Sequence, residues 1–386
     1  ILIVIGIFAF GSLMGQVNPW DLWLNAETDD FATIQQNVEN YYADKDKDRG
    51  SGYKQWKRWE YINKSRLSND GKVINYTAKN FDEYHAYMET SGSRTVPNGQ
   101  WYSKGPTDFV DGWGWTGGVG RVNCITFHPT LGGTYWVGTP SGGLCKTTNY
   151  ACTWTPMTDG MPRIGVSGMV IDYTNTNKMY LLTGDGDGGD VNCIGIMKTT
   201  DGGETWYSTG FSVAVTSNWR YYKLLMHPDN PNIQFAVGNA GILRTTNGWS
   251  TYSTVQSGTF YDIEFRPGIP TTMYACKSSQ FYRSTDTGVT WTQITSGVPT
   301  GCSRMAIGVT ANLSTRVYLF AGPSTGVGSF KGLYRSYNSG LDFNLQTLTP
   351  NTLGYSSAGN DNSNQTTYDH CMVVNKDSYA QSLTGG

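Results

Sequence analysis

Aspartates are the residues of this chain whose type and spacing first suggest chemistry. Asp201 and Asp286 stand in two near-identical stretches, Thr199 to Trp206 and Ser284 to Trp291. A pair of carboxylates flanking a scissile bond is what a glycosidase requires. The surroundings of these two argue for a different job. Each stretch reads Ser or Thr, any residue, Asp, any, Gly, any, Thr, Trp. In such a turn the carboxylate accepts N–H groups from its own backbone, the glycine supplies a positive φ, and the hydroxyls bond locally. The same acid in equivalent turns of different units is a structural acid. The densest acidic stretch is Thr183 to Asp190, TGDGDGGD. Asp185, Asp187 and Asp190 there offer the oxygen ligands that a hard cation takes, so calcium is the one ion considered, and no cofactor is required. The stretch departs from a helix-loop-helix calcium loop, since Gly189 holds the fifth position and Ile196 the place of the bidentate Glu. A long turn between two strands explains the same residues.

The elements that position these acids come from a repeat. Copies of the box begin at Thr147, Thr199, Thr245, Ser284 and Ser336, spaced by 52, 46, 39 and 52 residues. The recurring positions are Asn149 and Trp154, then Asp201, Gly203 and Trp206, then Asn247, then Asp286, Gly288 and Trp291, then Asn338. An apolar run precedes each box at a similar distance: VNCITFHP from Val122, YYKLLMHP from Tyr221, YDIEFRP from Tyr261, with shorter counterparts from Gly168 and Met305. Units of about 40 to 50 residues, each with three or four short strands, are the pattern of propeller blades.

These boxes resemble the Asp-box, or BNR repeat, of sialidases, sortilin-type proteins and xyloglucanases. The resemblance implies an all-β propeller of four-stranded blades with the box turns at the blade periphery, away from the central channel. Five blades are present. Residues 368–386 read as part of a sixth, which makes 100–386 a propeller incomplete at its C-terminus, from a protein with seven or more blades. The sequence GYKQWKRWE followed by WYSKGP and GRVNCITFHP is similar to secreted propeller proteins of the Bacteroidetes, and that likeness implies type IX secretion machinery as a partner.

Ahead of the propeller, residues 16–99 form a helical and irregular segment. Phe31, Ile34, Val38, Tyr41 and Tyr42 fall at helical spacing. Tyr53 to Leu67 is a second helix, with Trp56, Trp59 and Ile62 near one face. Residues 1–15, ILIVIGIFAFGSLMG, are a signal-peptide remnant, too short for the roughly 20 residues of a membrane crossing. The protein is therefore read as secreted, extracellular or on the cell surface, with no permanent membrane span.

A net charge of −2 gives no electrostatic case for nucleic acid. In an exported chain the seven cysteines allow disulfides, with Cys145–Cys152 and Cys276–Cys302 as pairings and buried thiols as the alternative. Gly117 to Arg121 is glycine-rich but precedes a strand, so it is no phosphate loop. A sialidase needs an arginine cluster, yet none of Arg121, Arg163, Arg220, Arg266, Arg283 or Arg304 stands in that family's Arg-Ile-Pro context. Tyr261 and Glu264 lie near Arg266 in sequence only. In xyloglucanase-like propellers an acid falls within the stretch matching Val137 to Gly143, where this chain has Pro140 and Ser141.

The resulting expectation is an exported β-propeller that binds glycan or protein ligands as a surface scaffold. Trp113 and Trp115, in the loop DGWGWTGG, are the ligand-facing aromatics, whereas Trp136 is a core residue. The alternative is a glycoside hydrolase, sialidase or xyloglucanase-like, with its acids in blades beyond this chain.

Overall fold

The computed structural model describes residues 30–48, 51–73, 79–80, 82–84, 86, 120–161, 164–189, 191–214, 217–323, 328–356, 358–367, 370–375 and 382–385. The signal-peptide segment, Trp113, Trp115 and Asp190 lie outside these residues. The chain divides into two compact units, 1–74 and 75–386.

In the first unit, helix α1 (Phe31–Tyr41) is capped by Asp30, whose side chain accepts the Thr33 N–H at 2.8 Å. Helix α2 (Tyr53–Lys64) starts from Gly52 in the left-handed region. Phe31, Ile34, Val38 and Trp56 are buried, and the Trp59 ring stacks on both Trp56 and Phe31. Two expectations shift here. α2 ends at Lys64 rather than Leu67, and Ile62 is 48% exposed instead of joining the tryptophans.

The second unit is all-β. Its blades are Cys124–Phe127, Tyr135–Gly138, Leu144–Thr147 and Thr155–Pro156 (β1–β4), then Val166–Ile171, Met179–Thr183, Gly195–Thr199 and Tyr207–Ser212 (β5–β8). Next come Tyr221–His227, Asn230–Gly238, Gly241–Thr245 and Ser253–Gln256 (β9–β12), then Asp262–Phe265, Met273–Cys276, Phe281–Ser284 and Thr292–Ile294 (β13–β16). The fifth blade is Arg304–Val309, Val317–Gly322, Gly332–Ser336 and Asn344–Thr347 (β17–β20). Cys371–Val374 and Ser382–Gly385 (β21, β22) pair as the start of a sixth sheet. Within every sheet the strands lie in sequence order and are antiparallel. Each first strand meets the first strand of the next sheet, from β1 through β5, β9, β13 and β17 to β21. The second strands of blades two, four and five are buried end to end, while the fourth strands are largely exposed. This gradient sets the first strands around the central channel of a propeller.

The apolar cores lie between neighbouring sheets. Tyr180, Leu182 and Ile196 of blade two pack with Leu224, Ala236 and Trp249 of blade three. Phe235 and Val237 pack with Ile263 and Met273, and Tyr274 and Phe281 pack with Ile307 and Leu319. Burying a side chain of this size contributes about 1.5–3 kcal/mol, so each sheet depends on the next one for its stability.

The box turns are built alike in all five blades. The fifth residue donates its N–H to the first residue's hydroxyl in each: Ala151, Gly203, Trp249, Gly288 and Gly340. The seventh donates its N–H to the side-chain oxygen of the third in each: Asn149, Asp201, Asn247, Asp286 and Asn338. The fourth residue's N–H bonds the carbonyl of the turn between its own blade's first two strands, as in Gly202 to Asn177 and Thr287 to Thr271, each 2.9 Å. The boxes thus clip the third strand's end to the first hairpin. The fifth position has φ +97° at Gly203 and +70° at Gly288, which glycine adopts without strain. Blades one and three put Ala151 and Trp249 there at +69° and +66°.

All seven cysteines are free thiols. Across β3 and β4, Cys145 faces Pro156 and not Cys152. The Cys276 thiol is directed to the Met305 carbonyl at 3.1 Å, while Cys302 contacts Ser279, so neither expected disulfide forms. Burial pushes the Cys124 thiol up to about 12 and Cys193 to about 11, which fits thiols acting as small hydrophobes. Among the described residues no helix is long and apolar enough to cross a membrane.

Candidate functional site

Antiparallel blades divide the propeller into two ends. The box turns and the first hairpins share one end. The starts of the first strands, with the turns between second and third strands, share the other. Asp201 and Asp286 therefore sit at the box end, each bonded to its own turn: Asp201 Oδ1 accepts from the Thr199 hydroxyl at 2.6 Å, and Asp286 Oδ1 from the Ser284 hydroxyl at 2.7 Å. These bonds hold the Asp201 carboxyl well below the usual range. Neither acid is available for chemistry at the channel.

At the opposite end the second-to-third-strand turn of blade two, starting at Gly184, carries Asp185 and Asp187. Gly184 adopts φ +98°, and its Cβ position is closed by the Cys193 backbone, so the turn has to leave β6 in this direction. Asp185 is fully buried and accepts from Arg121 Nη2 at 2.6 Å, Asn123 Nδ2 at 3.2 Å and the Gly188 N–H at 3.0 Å. Asp187 accepts from Arg304 Nη1 at 2.6 Å, and the same nitrogen donates to the Thr367 carbonyl at 2.8 Å. Arg304 begins β17 of blade five, so this ion pair joins blade five to the blade-two turn. Arg220, immediately before β9, lays its guanidinium beside Gly189, while that of Arg121 lies beside Gly188. Three arginines from three places in the chain therefore converge on one turn.

Of the three acids considered for calcium, Asp185 and Asp187 are described, and a guanidinium meets each of them. Among the described residues no three His, Cys, Asp or Glu are grouped to hold a metal ion. Guanidinium groups meet Asp185 and Asp187 with charge-assisted bonds, which a cation would have to displace.

Beside the arginines, the Tyr222 and Tyr261 rings lie 4.9 Å apart, with the Arg304 guanidinium 5.3 and 5.5 Å from their centres. Burial works against the Arg304 charge, but Asp187 outweighs it, so the group stays charged. One residue further along β9, Lys223 of blade three donates to Asp262 at 2.7 Å and Glu264 at 2.6 Å of blade four. Asp262 also accepts the Ile263 and Ile307 N–H groups, and the latter bond ties blade four to blade five. Glu264 has Lys223 as its partner, and burial raises its carboxyl above the usual range against that cation's pull.

The sequence reading brought out Asp185 and Asp187 but not their partners. The arginines stand in no family motif, yet Arg121, Arg220 and Arg304 each lie within three residues of the start of a first strand, and that position is the signal they carry. Arg266 and Arg283 go elsewhere, donating to the Ser314 and Ser339 carbonyls of the next blade. Tyr261 meets Arg304, and Glu264 meets Lys223. Trp136 is buried, as expected, and Trp219 packs on Phe211 and Tyr221. The turn Thr139 to Gly143 of blade one lies at this same end and carries no carboxylate.

No protein-family model matches the chain. It is 29% identical over 231 residues to a xyloglucanase of Hypocrea jecorina, covering 55% of this chain and 26% of that protein. To xyloglucanase Xgh74A of Acetivibrio thermocellus it is 29% identical over 226 residues, covering 48% and 27%. The chain thus spans about a quarter of the length of these curated relatives. Among solved structures, an ancestral GH74 enzyme aligns over 59% of this chain and 31% of its own, at 17% identity and a TM-score of 0.49.

Proposed function

We propose that the protein acts on a polysaccharide as a glycoside hydrolase of the xyloglucanase kind, with the glycan lying across the end where the first strands begin. The observation that carries this reading is the sequence likeness to xyloglucanases over more than two hundred residues. The chemistry at the channel mouth supports it. Tyr222 and Tyr261 offer aromatic faces to sugar rings, and to Glu264, two residues further into β13 from Asp262 and raised by burial, we assign donation of a proton to a leaving oxygen. Such a polymer stays outside cells, so the reading includes export, by the segment 1–15 and a type IX route.

A second reading, retention without cleavage, is favoured by two observations. Thr139 to Gly143 lacks the acid expected there, and arginines engage Asp185 and Asp187. Incubation with a panel of neutral and acidic polysaccharides, xyloglucan among them, scoring released reducing ends and retention on each polymer, separates the two. Cleavage is expected, and Glu264→Gln should lower the rate by about a hundredfold while the polymer is still retained. Retention with no release selects the binding module. Neither signal would discard a glycan role.

A further inference from the structure

Among the arginines that surround the blade-two turn, Arg220 differs from the other two. Arg121 is answered by Asp185 and Arg304 by Asp187. Among the described residues no carboxylate or carbonyl accepts from the Arg220 guanidinium, although its backbone is fixed by the bond from its N–H to Asn239 Oδ1 at 3.0 Å. The group is half-buried, and its Nη2 lies 3.1 Å from the Cβ position of Gly189, so any side chain there would crowd it. The planar fork of a guanidinium is shaped to take a carboxylate with two parallel bonds. Tyr222, two residues along, turns an aromatic ring to the same mouth beside Tyr261. A cation with unused donors next to aromatic rings matches a sugar that carries a carboxylate.

We propose that Arg220 is an anion subsite for the carboxylate of an acidic sugar, so that the polysaccharide taken at this face contains uronate or another carboxylated residue and is not a purely neutral glucan. This rests on the glycan reading above and narrows its substrate class. Asp187, two residues before Gly189 in the same turn, shows that this end already accommodates a carboxylate, held by Arg304.

The test compares retention of the full chain on polygalacturonate, on the same polymer after reduction of its carboxyls, on neutral xyloglucan and on a sialylated glycan. Retention on the acidic polymer is expected to exceed that on its reduced form by about tenfold or more at low salt, and to weaken as salt is added. The ratio should fall to near one in Arg220→Gln and recover in part in Arg220→Lys, with the folded state of each variant checked by its unfolding temperature. Preference for the sialylated glycan, abolished by the same variant, would keep the subsite and change the source of the carboxylate. A ratio near one in the unmodified protein, or one that Arg220→Gln leaves intact, overturns the proposal. Retention on xyloglucan alone overturns it while the glycan reading stands, and retention on no polymer removes both. A ratio that rises severalfold in Asp190→Asn would show Arg220 already filled by the chain's own acid, and would also overturn it.

Discussion

Asp286 holds its turn through one carboxylate that accepts from the Ser284 hydroxyl, the Val289 and Thr290 N–H groups and the Thr290 hydroxyl. Replacing it with alanine removes all four bonds at once, with a cost of about 1–2 kcal/mol by analogy with other capping side chains. Asp286→Asn should cost about half as much. Asn149, Asn247 and Asn338 already make the corresponding bonds in three other blades, and the carboxylate is exposed, so its ionic part is screened. Those bonds lower the carboxyl from 3.8 to about 2. A depressed acid stabilises the fold above its unfolded value, and that stability is lost as pH falls from 3.8 towards 2. Urea unfolding across this window should show the loss in the parent protein and not in the Asn variant; equal slopes would mean that other acids dominate. Each position of the box could be assigned from its residue type, because the turn is made by neighbours in sequence. The arginines could not, because their partners are set by the arrangement of whole blades.

At the level of the strand and turn, blade three shows how far a unit drifts while keeping its geometry. Its box places Trp249, at φ +66°, where the intact copies have glycine. The ring is buried between blades two and three, and its Nε1 donates to Gln234 Oε1 at 2.7 Å. The energy of filling the inter-blade core offsets the strain of a left-handed non-glycine residue. Trp249→Ala should therefore destabilise by about 3–5 kcal/mol, adding an unpaired buried amide oxygen to the lost packing, and would show as a lower urea midpoint. A change below about 1 kcal/mol would mean that the blades repack around the gap. The strands themselves were legible because apolar runs such as MYLLT and VYLFAG are bounded by turn residues, and the helices because their apolar residues repeat every three or four positions. Disulfides were misread because spacing along the chain says nothing about which way a thiol points. Cys145 and Cys152 are close in sequence, yet the first lies on a strand and the second in its box turn.

Stability of the whole propeller passes from blade to blade, since every core is shared by neighbours. The join between blade five and the sixth sheet has a titratable residue at its centre. His370, just before β21, is 6% exposed and stacks on Phe320 of β18 at 4.8 Å. Burial first, and the nearby Arg304 guanidinium second, hold the imidazole well below its ordinary 6.5 and so neutral. The unfolded chain takes up a proton that the folded chain refuses, so His370 costs no stability above pH 6.5 and an increasing amount as pH falls below it. One such group gives a slope of up to about 1.4 kcal/mol per pH unit. His370→Phe keeps a flat ring against Phe320 and removes the titration, so unfolding midpoints measured from neutral pH downward should fall less steeply in the variant than in the parent. Because the strain falls on the last join, limited proteolysis of the parent at mildly acid pH should cut near β21 and β22 before any other sheet. Parallel midpoint curves for the two proteins would place the acid sensitivity outside this join.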